Sequence, residues 1–539
     1  VLSLHTLRRI LPTLLLLCTP FAHSQSAPSA DTGGRVVLVL PFDNRSGQSN
    51  LGWIGDSFPD TLNQRLTSSG FLTITRDDRQ YALDHLGLPI DFRPSRATTI
   101  RIAQTLDADF VIVGSYTIEN DHIAAQAQVL EVNKLKLSEA LVDSSPLARL
   151  FDLENAIAWK VARQIDPHFN IAQQTFLSSS EGIRLSAFEN YIRGTDATTA
   201  QERIKRLQQA VQENPNYPAA LLALGKAQFA QRDYDQAATT LAKIQRSDRR
   251  ALEAGFYIGL ARFNSGKYAE AESAFAFVAS RLPLPEVVNN QAVASSRQGH
   301  DAVPLFQRAS TADPSDVDYH YNVAVALLRR GDFAGAQREV DQTLKLRPTD
   351  TEATQLKAMI SAGRALPAAA KVASSTDTVP SFDPLERIRR TYSESSFRQA
   401  AFQLDQMRAA RMATLPPAEQ AAQYAQLGHD YLAQGLIPEA EHEFQTAISA
   451  DSSSAAAHAG LAQVREHSGD SADARAEAQT AIRLHPSTDA YLVLARLDLQ
   501  ANQLESSASD VKKALQIDPK DSAALGMKQA LQTRGQALP

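Results

Sequence analysis

Cysteine is all but missing from this chain: among 539 residues only Cys18 carries a thiol, and it sits in an apolar stretch near the amino terminus. Once residues 1–24 are removed, none remains, which excludes disulfides, thiolate zinc sites and cysteine nucleophiles together. Glycine is scarce, at 24 residues, and aromatic side chains make up 7%. With Ala-dense stretches through the second half, that scarcity favours packed helices. An excess of one charge is also lacking, since 54 Lys and Arg face 60 Asp and Glu for a net −6. A strongly basic nucleic-acid binder or a polybasic membrane protein is thereby disfavoured. The longest amino-terminal apolar run, Ile10 to Cys18, is about half of the ~20 residues that span a bilayer. What the chain does have is length and 43% hydrophobic side chains. That is too long for one core and too apolar for disorder, so several domains or an array are expected.

Arg8 and Arg9, the apolar run and the small residues of Ala22-His23-Ser24 read as a secretory signal peptide over 1–24, followed by a Ser/Gln/Pro-rich linker over 25–34. Leu15, Leu16 and Leu17 precede Cys18 where lipid attachment needs a small residue, so Cys18 is read as part of the removed segment. The expected destination is the bacterial cell envelope, periplasmic or outer-membrane associated, with peripheral membrane association left open.

Residues 35–170 read as a small α/β domain with a mixed sheet. Val36 to Leu40 is a continuous β-branched run ended by Pro41, which suits a strand buried on both faces. Ser57-Phe58-Pro59-Asp60 has capping-box spacing and predicts the opening of a helix that closes near Gly70. Further strands are predicted at 71–75, at 110–113 stopping at Gly114, and at 123–130; helices are predicted at 77–86, 96–106 and 150–165. The stretch Val37-Leu38-Val39-Leu40-Pro41-Phe42-Asp43-Asn44-Arg45-Ser46-Gly47 resembles the opening of TolB amino-terminal-like and FlgO-like domains. Ala108 to Ser115 is similar to a later strand of that family. The resemblance implies a non-catalytic α/β module of envelope or signalling proteins, and it supplies no catalytic residues.

A 34-residue period governs the remainder. Gly225 and Gly259, Ala237 and Ala271, Ala302 and Ala336, Pro314 and Pro348, Gly428 and Ala462, and Ala440 and Ala474 all recur at that interval. In one unit, Leu427-Gly428, Tyr431, Gly435, Ala440, Phe444 and Ala447 give the small–large pattern of two antiparallel helices. These residues resemble the tetratricopeptide repeat, which implies an all-α solenoid wound as a right-handed superhelix. The period predicts about five units over 183–349. A degenerate repeat or linker is predicted over 350–384, then about four units and a capping helix over 385–535.

Motifs of reaction chemistry are wanting. Gly55-Asp56-Ser57-Phe58-Pro59 begins like a nucleophile elbow, but Pro59 stands where glycine is required. Gly266-Lys267 imitates a phosphate loop, but Tyr268 replaces the hydroxyl residue that would hold magnesium. His429, His442, His458, His467 and His485 read as surface or packing residues, and Glu441 and Glu443 as a solvated helix face. No catalytic residue, cofactor or metal ligand is assigned.

The predicted function is therefore a non-catalytic scaffold that holds a peptide or partner protein against the first helices of its repeats. By repeat register the groove would include Lys226, Phe229, Asn264, Tyr321, Arg329, His429 and Arg496. The mixture of Lys/Arg with aromatics suits an extended acidic or carboxylate-terminated segment, and no regular Lys/Asn clamp is evident. The alternative is a regulatory or enzyme-associated subunit whose α/β domain binds a small ligand near Asn44, Arg45 and Ser46.

Overall fold

The computed structural model describes residues 35–88, 95–178, 183–248, 250–363, 383–390, 406–433 and 435–538. The signal peptide and linker expected over 1–34 lie outside the described residues.

The α/β domain is built on a seven-stranded mixed sheet. Strand β1 (Val36–Val39) lies parallel to β3 (Leu72–Thr73) on one side and to β4 (Phe110–Glu119) on the other, and β2 (Asp43–Asn44) also pairs with β4. Strand β5 (His122–Glu131) runs antiparallel to β4 and carries β6 (Lys136–Leu137) and β7 (Leu141–Pro146). Alternate residues of β1 face two different cores. Val37 and Val39 pack under α1 (Trp53–Ser68) and α4 (Leu150–Ile165), whereas Leu38 packs with residues of α2 (Arg76–His85) and α3 (Arg96–Thr105). This is the two-sided burial that an unbroken run of Val and Leu requires.

Two local expectations are corrected. Ser57 caps nothing: α1 begins four residues earlier at Trp53, and Ser57 is buried inside it. Pro59 is tolerated within the helix because the carbonyl it leaves unpaired, that of Gly55, accepts the Phe42 N–H at 2.9 Å. A Cβ on Gly55 would stand 2.4 Å from the Phe42 carbonyl oxygen, so this crossing needs glycine. Likewise Gly114 does not end β4; the strand passes through it, and the missing side chain makes room for the Phe42 ring.

Helix pairs follow. The first series is α6 (Leu185–Asp196) with α7 (Ala200–Glu213), α8 (Pro218–Ala230) with α9 (Tyr234–Leu241), α10 (Ala251–Asn264) with α11 (Tyr268–Arg281), α12 (Pro285–Arg297) with α13 (Val303–Ala312), and α14 (Val317–Arg330) with α15 (Phe333–Leu346). Among the described residues, α16 (Thr351–Ser361) is the last helix of this series. The second series is α17 (Pro417–Ala433) with α18 (Ile437–Ala450), α19 (Ala455–His467) with α20 (Ser471–Leu484), and α21 (Thr488–Gln500) with α22 (Leu504–Ile517), capped by α23 (Ser522–Thr533). Residues 406–412 are helical ahead of α17, and residues 391–405, where the period predicts the start of a further unit, lie outside the described residues.

The period has a steric origin. A Cβ on Gly225 would meet Leu241 at 2.4 Å, one on Gly259 would meet Phe275 at 2.6 Å, and one on Gly428 would meet Phe444 at 2.7 Å. In each unit the first helix offers a gap and the second fills it.

The array is joined to the α/β domain twice. At its start, one apolar core runs from β1 and α4 through Phe188 and Ile192 to Leu224, and the Tyr191 hydroxyl donates to Asp60 at 2.8 Å. Further along, α5 (Gln173–Ser178) reaches the second series, where the buried Glu441 carboxylate accepts the Ala172 N–H at 2.9 Å and the Thr175 hydroxyl. Burial pushes the Glu441 carboxyl up, opposed by Arg465 at 2.9 Å and by its hydrogen bonds. Glu441 is thus a joint between α5 and the array, not the solvated position expected.

Candidate functional site: a groove holding an extended segment

Helices α12, α14 and α16 are the first helices of consecutive repeats, and they turn polar side chains toward a common strip. From α12 come Asn289, Asn290 and Ser296; from α14 come Asp318, Tyr319, Tyr321, Asn322 and Arg329; Asp316, Asp350 and Glu352 stand at helix starts beside them. Asp316 and Asp350 also cap α14 and α16 by accepting N–H groups of the first turn. Against this strip lies Asp383-Pro384-Leu385-Glu386-Arg387-Ile388-Arg389-Arg390, a stretch without helix or strand.

Asparagines hold its main chain. Asn322 accepts the Arg387 N–H at 2.6 Å and donates to the Arg387 carbonyl at 2.8 Å; Asn289 donates to the same carbonyl at 3.0 Å. Asn290 accepts the Arg389 N–H and donates to the Arg389 carbonyl, both at 2.8 Å. Asn322 also donates to Asn289 at 2.8 Å, tying the two clamps together. Residues two apart present their main-chain groups to the same side of an extended chain, so the asparagines take the place of a neighbouring strand. All three asparagines are fully buried under the segment.

Side chains add selectivity. Glu386 is buried and bonds Ser296 and Arg329, with Arg297 at 3.6 Å. Arg387 reaches Asp318 at 2.9 Å and Asp350 and Glu352 at 2.8 Å each, and lies 3.8 Å above the Tyr321 ring centre. Burial alone would lower the Arg387 pKa, but those three carboxylates raise it above its ordinary value. Arg389 pairs with Asp316, approaches Asp318 at 3.4 Å and covers Tyr319. Ile388 packs where the cluster around Tyr321 meets the cluster around Phe256 and Val287.

Of the residues predicted to line a groove, Tyr321 and Arg329 are in this strip. Lys226 pairs with Glu253 at 2.9 Å, Phe229 packs on Tyr234 and Tyr257, and Asn264 donates back to the Leu260 carbonyl of its own helix. In the second series His429 stands edge-on to Phe444, with burial lowering its pKa, and Arg496 pairs with Glu466 at 2.5 Å. These five are not brought together with the clamp. Asn44 accepts the Ser46 N–H at 2.9 Å and the Ser46 hydroxyl at 2.5 Å, while the Arg45 N–H donates to Tyr116, so this loop spends those polar groups on itself and its sheet.

One sequence reading is not met in this strip: it turns Asp316, Asp318, Asp350 and Glu352 toward the arginines it takes, where an acidic segment was expected. Its asparagine clamp contains no lysine and is a different device from the Lys/Asn clamp. Asn290 and Asn322, each nine residues before the left-handed glycine that ends its helix (Gly299 and Gly331) and so in one repeat register, were the overlooked signal. Residues 385–390 are not the start of a second array but the occupant of the first.

Two tetratricopeptide-repeat family models match, one at residues 425–487 and 467–522, the other at 196–255 and 294–360. The matched stretches are therefore tetratricopeptide repeats, modules that generally serve as protein-interaction scaffolds and are typically non-catalytic. Neither model reaches the α/β domain. No curated protein matches the chain in sequence. Among solved structures, YrrB, titled a TPR protein with an unusual peptide-binding site, is 12% identical and covers 37% of this chain and 98% of its own, with a TM-score of 0.29. MamA from Desulfovibrio magneticus RS-1 is 17% identical over 34% of this chain and 99% of its own (TM-score 0.28). The LpoB C-terminal domain from Escherichia coli is 23% identical over 22% of this chain and 85% of its own (TM-score 0.19).

Proposed function

We propose that this protein is an exported, non-catalytic scaffold of the cell envelope that captures an extended peptide segment of a partner protein on α12, α14 and α16. One observation carries the reading: Asn290 and Asn322 each take both the N–H and the carbonyl of one residue in an extended chain. Paired donors and acceptors of this kind recognise backbone, which any unfolded segment can offer. The sequence of residues 1–24 supports export, and the likeness of 37–47 to TolB amino-terminal-like domains supports an envelope setting for the α/β domain.

The test is selection from a random peptide library on the full chain with residues 383–390 replaced by Gly/Ser of equal length. Extended peptides are expected to be enriched, and enrichment is expected to vanish when Asn290→Ala and Asn322→Ala are added. Equal enrichment with and without the asparagines would sink the reading. Export is checked separately by fractionation: recovery of an uncleaved chain in the cytoplasm would remove the envelope assignment.

A further inference from the structure

The lining of the strip is suited to being bare as well as filled. Asparagine, aspartate, glutamate and arginine are costly in a permanent core but readily solvated on an open wall. A stretch needed only to complete the fold would be held more cheaply by apolar contacts. Instead its main chain is gripped without regard to side chain, and Leu385 remains 48% exposed. The charged contacts are specific: one glutamate between Arg329 and Arg297, then two arginines facing Asp316, Asp318, Asp350 and Glu352, with Ile388 between them on an apolar seam.

We propose that residues 383–390 are a tethered competitor occupying the groove, and that the partner segment shares their chemistry: an extended run with a glutamate followed by two arginines flanking an aliphatic residue. This rests on the peptide-binding reading above and adds the identity of the ligand class and its regulation. Because the competitor is covalently attached, it acts at high local concentration, and a partner binds with its intrinsic affinity multiplied by the small fraction of open groove. Capture then depends on a partner that outcompetes the chain's own segment.

The probe is a fluorescein-labelled peptide Asp-Pro-Leu-Glu-Arg-Ile-Arg-Arg, titrated into the full-length protein and followed by anisotropy. Substituting Arg387→Ala and Arg389→Ala in the chain is expected to tighten probe binding on the order of tenfold or more. Adding Asn290→Ala and Asn322→Ala should then abolish it, and a probe with both flanking arginines replaced by glutamate should not bind. Should the double arginine variant lose its thermal transition, Glu386→Gln provides the same comparison. Equal binding to the wild type and the opened variant would overturn the competitor while leaving the groove reading intact. Failure of this probe on an opened variant that binds library-selected peptides of other chemistry would overturn the ligand class. If no peptide of any kind binds the opened variant, both readings fall.

Discussion

Asn322 and Arg387 lie 65 residues apart in the chain, yet one side-chain amide satisfies both main-chain groups of the other residue, at 2.6 Å and 2.8 Å. Few side chains can do this. An amide carries a donor and an acceptor about as far apart as those of an extended residue, whereas a carboxylate only accepts and an ammonium only donates. Asn322→Ala removes two bonds at Arg387 and leaves the Arg387 N–H without its partner, a loss of about 1–3 kcal/mol in holding the segment. Hydrogen exchange at the Arg387 amide should accelerate by one to two orders of magnitude, on the order expected from that free energy; unchanged protection would show that the clamp does not retain the segment.

Acid should also free the segment. Burial would raise the Asp350 pKa, but Arg387 and the Ala353 N–H outweigh it and leave the carboxyl below its ordinary value. A carboxyl depressed in the bound state contributes stability above the ordinary value of 3.8, and that contribution is lost as pH falls through the lower bound-state value. Protection of the Arg387 amide is therefore expected to be flat near neutrality and to fall below about pH 4. In Asp350→Asn protection should be lower at neutral pH and its acid dependence shallower, and an unaltered profile would remove Asp350 from the account.

A second titration concerns the α/β domain. Burial pushes the fully enclosed Glu154 carboxyl up to about 8, against the opposing hydrogen bonds from Ser57 and Thr61. Ser57 also lies 2.8 Å from the Ile54 carbonyl. Its single hydrogen cannot serve both acceptors, and a protonated Glu154 removes the conflict by donating to Ser57. Since the folded pKa exceeds the unfolded one, stability from this group is complete below 4.5 and declines as pH rises toward about 8, by at most about 1.4 kcal/mol per pH unit. The two tryptophans, Trp53 and Trp159, both lie in this domain, so their fluorescence reports the urea transition of the core it shares with the first repeats. Glu154→Gln should flatten the decline in the urea midpoint between pH 5 and 8, and an equal decline in the variant would assign it elsewhere.

Phe444 is fully buried and fills space left by both Gly428 and Gly460. Phe444→Ala should cost about 3–5 kcal/mol, felt first in the second helical series. Proteolysis within 417–467 is expected to outpace cutting in 185–346. Retained resistance there would mean that the glycine–phenylalanine contact does not hold these units together.

The fold was legible wherever one residue type answered a local steric need. Val36 to Val39 announced a strand covered on both sides, and the paired glycines and aromatics announced repeats because the same gap recurs each time two helices meet. Ser57 misled because its spacing fits a cap, while its actual partner, Glu154, lies 97 residues away. The groove was only half visible for the same reason. Tyr321 and Arg329 followed from register, but their occupant is irregular and aperiodic, so no period could assign residues 383–390 to the helices they lie on.

The meeting of Thr175 with Glu441, across 266 positions, sets an order on biosynthesis. The ribosome releases α5 long before it makes the helix that supplies its acceptor. Until then Thr175, fully buried in the finished molecule, lacks both Glu441 and Ser468 beside it. Nascent chains of this protein should accordingly keep this polar joint open late into translation, and closing it is among the last events of maturation.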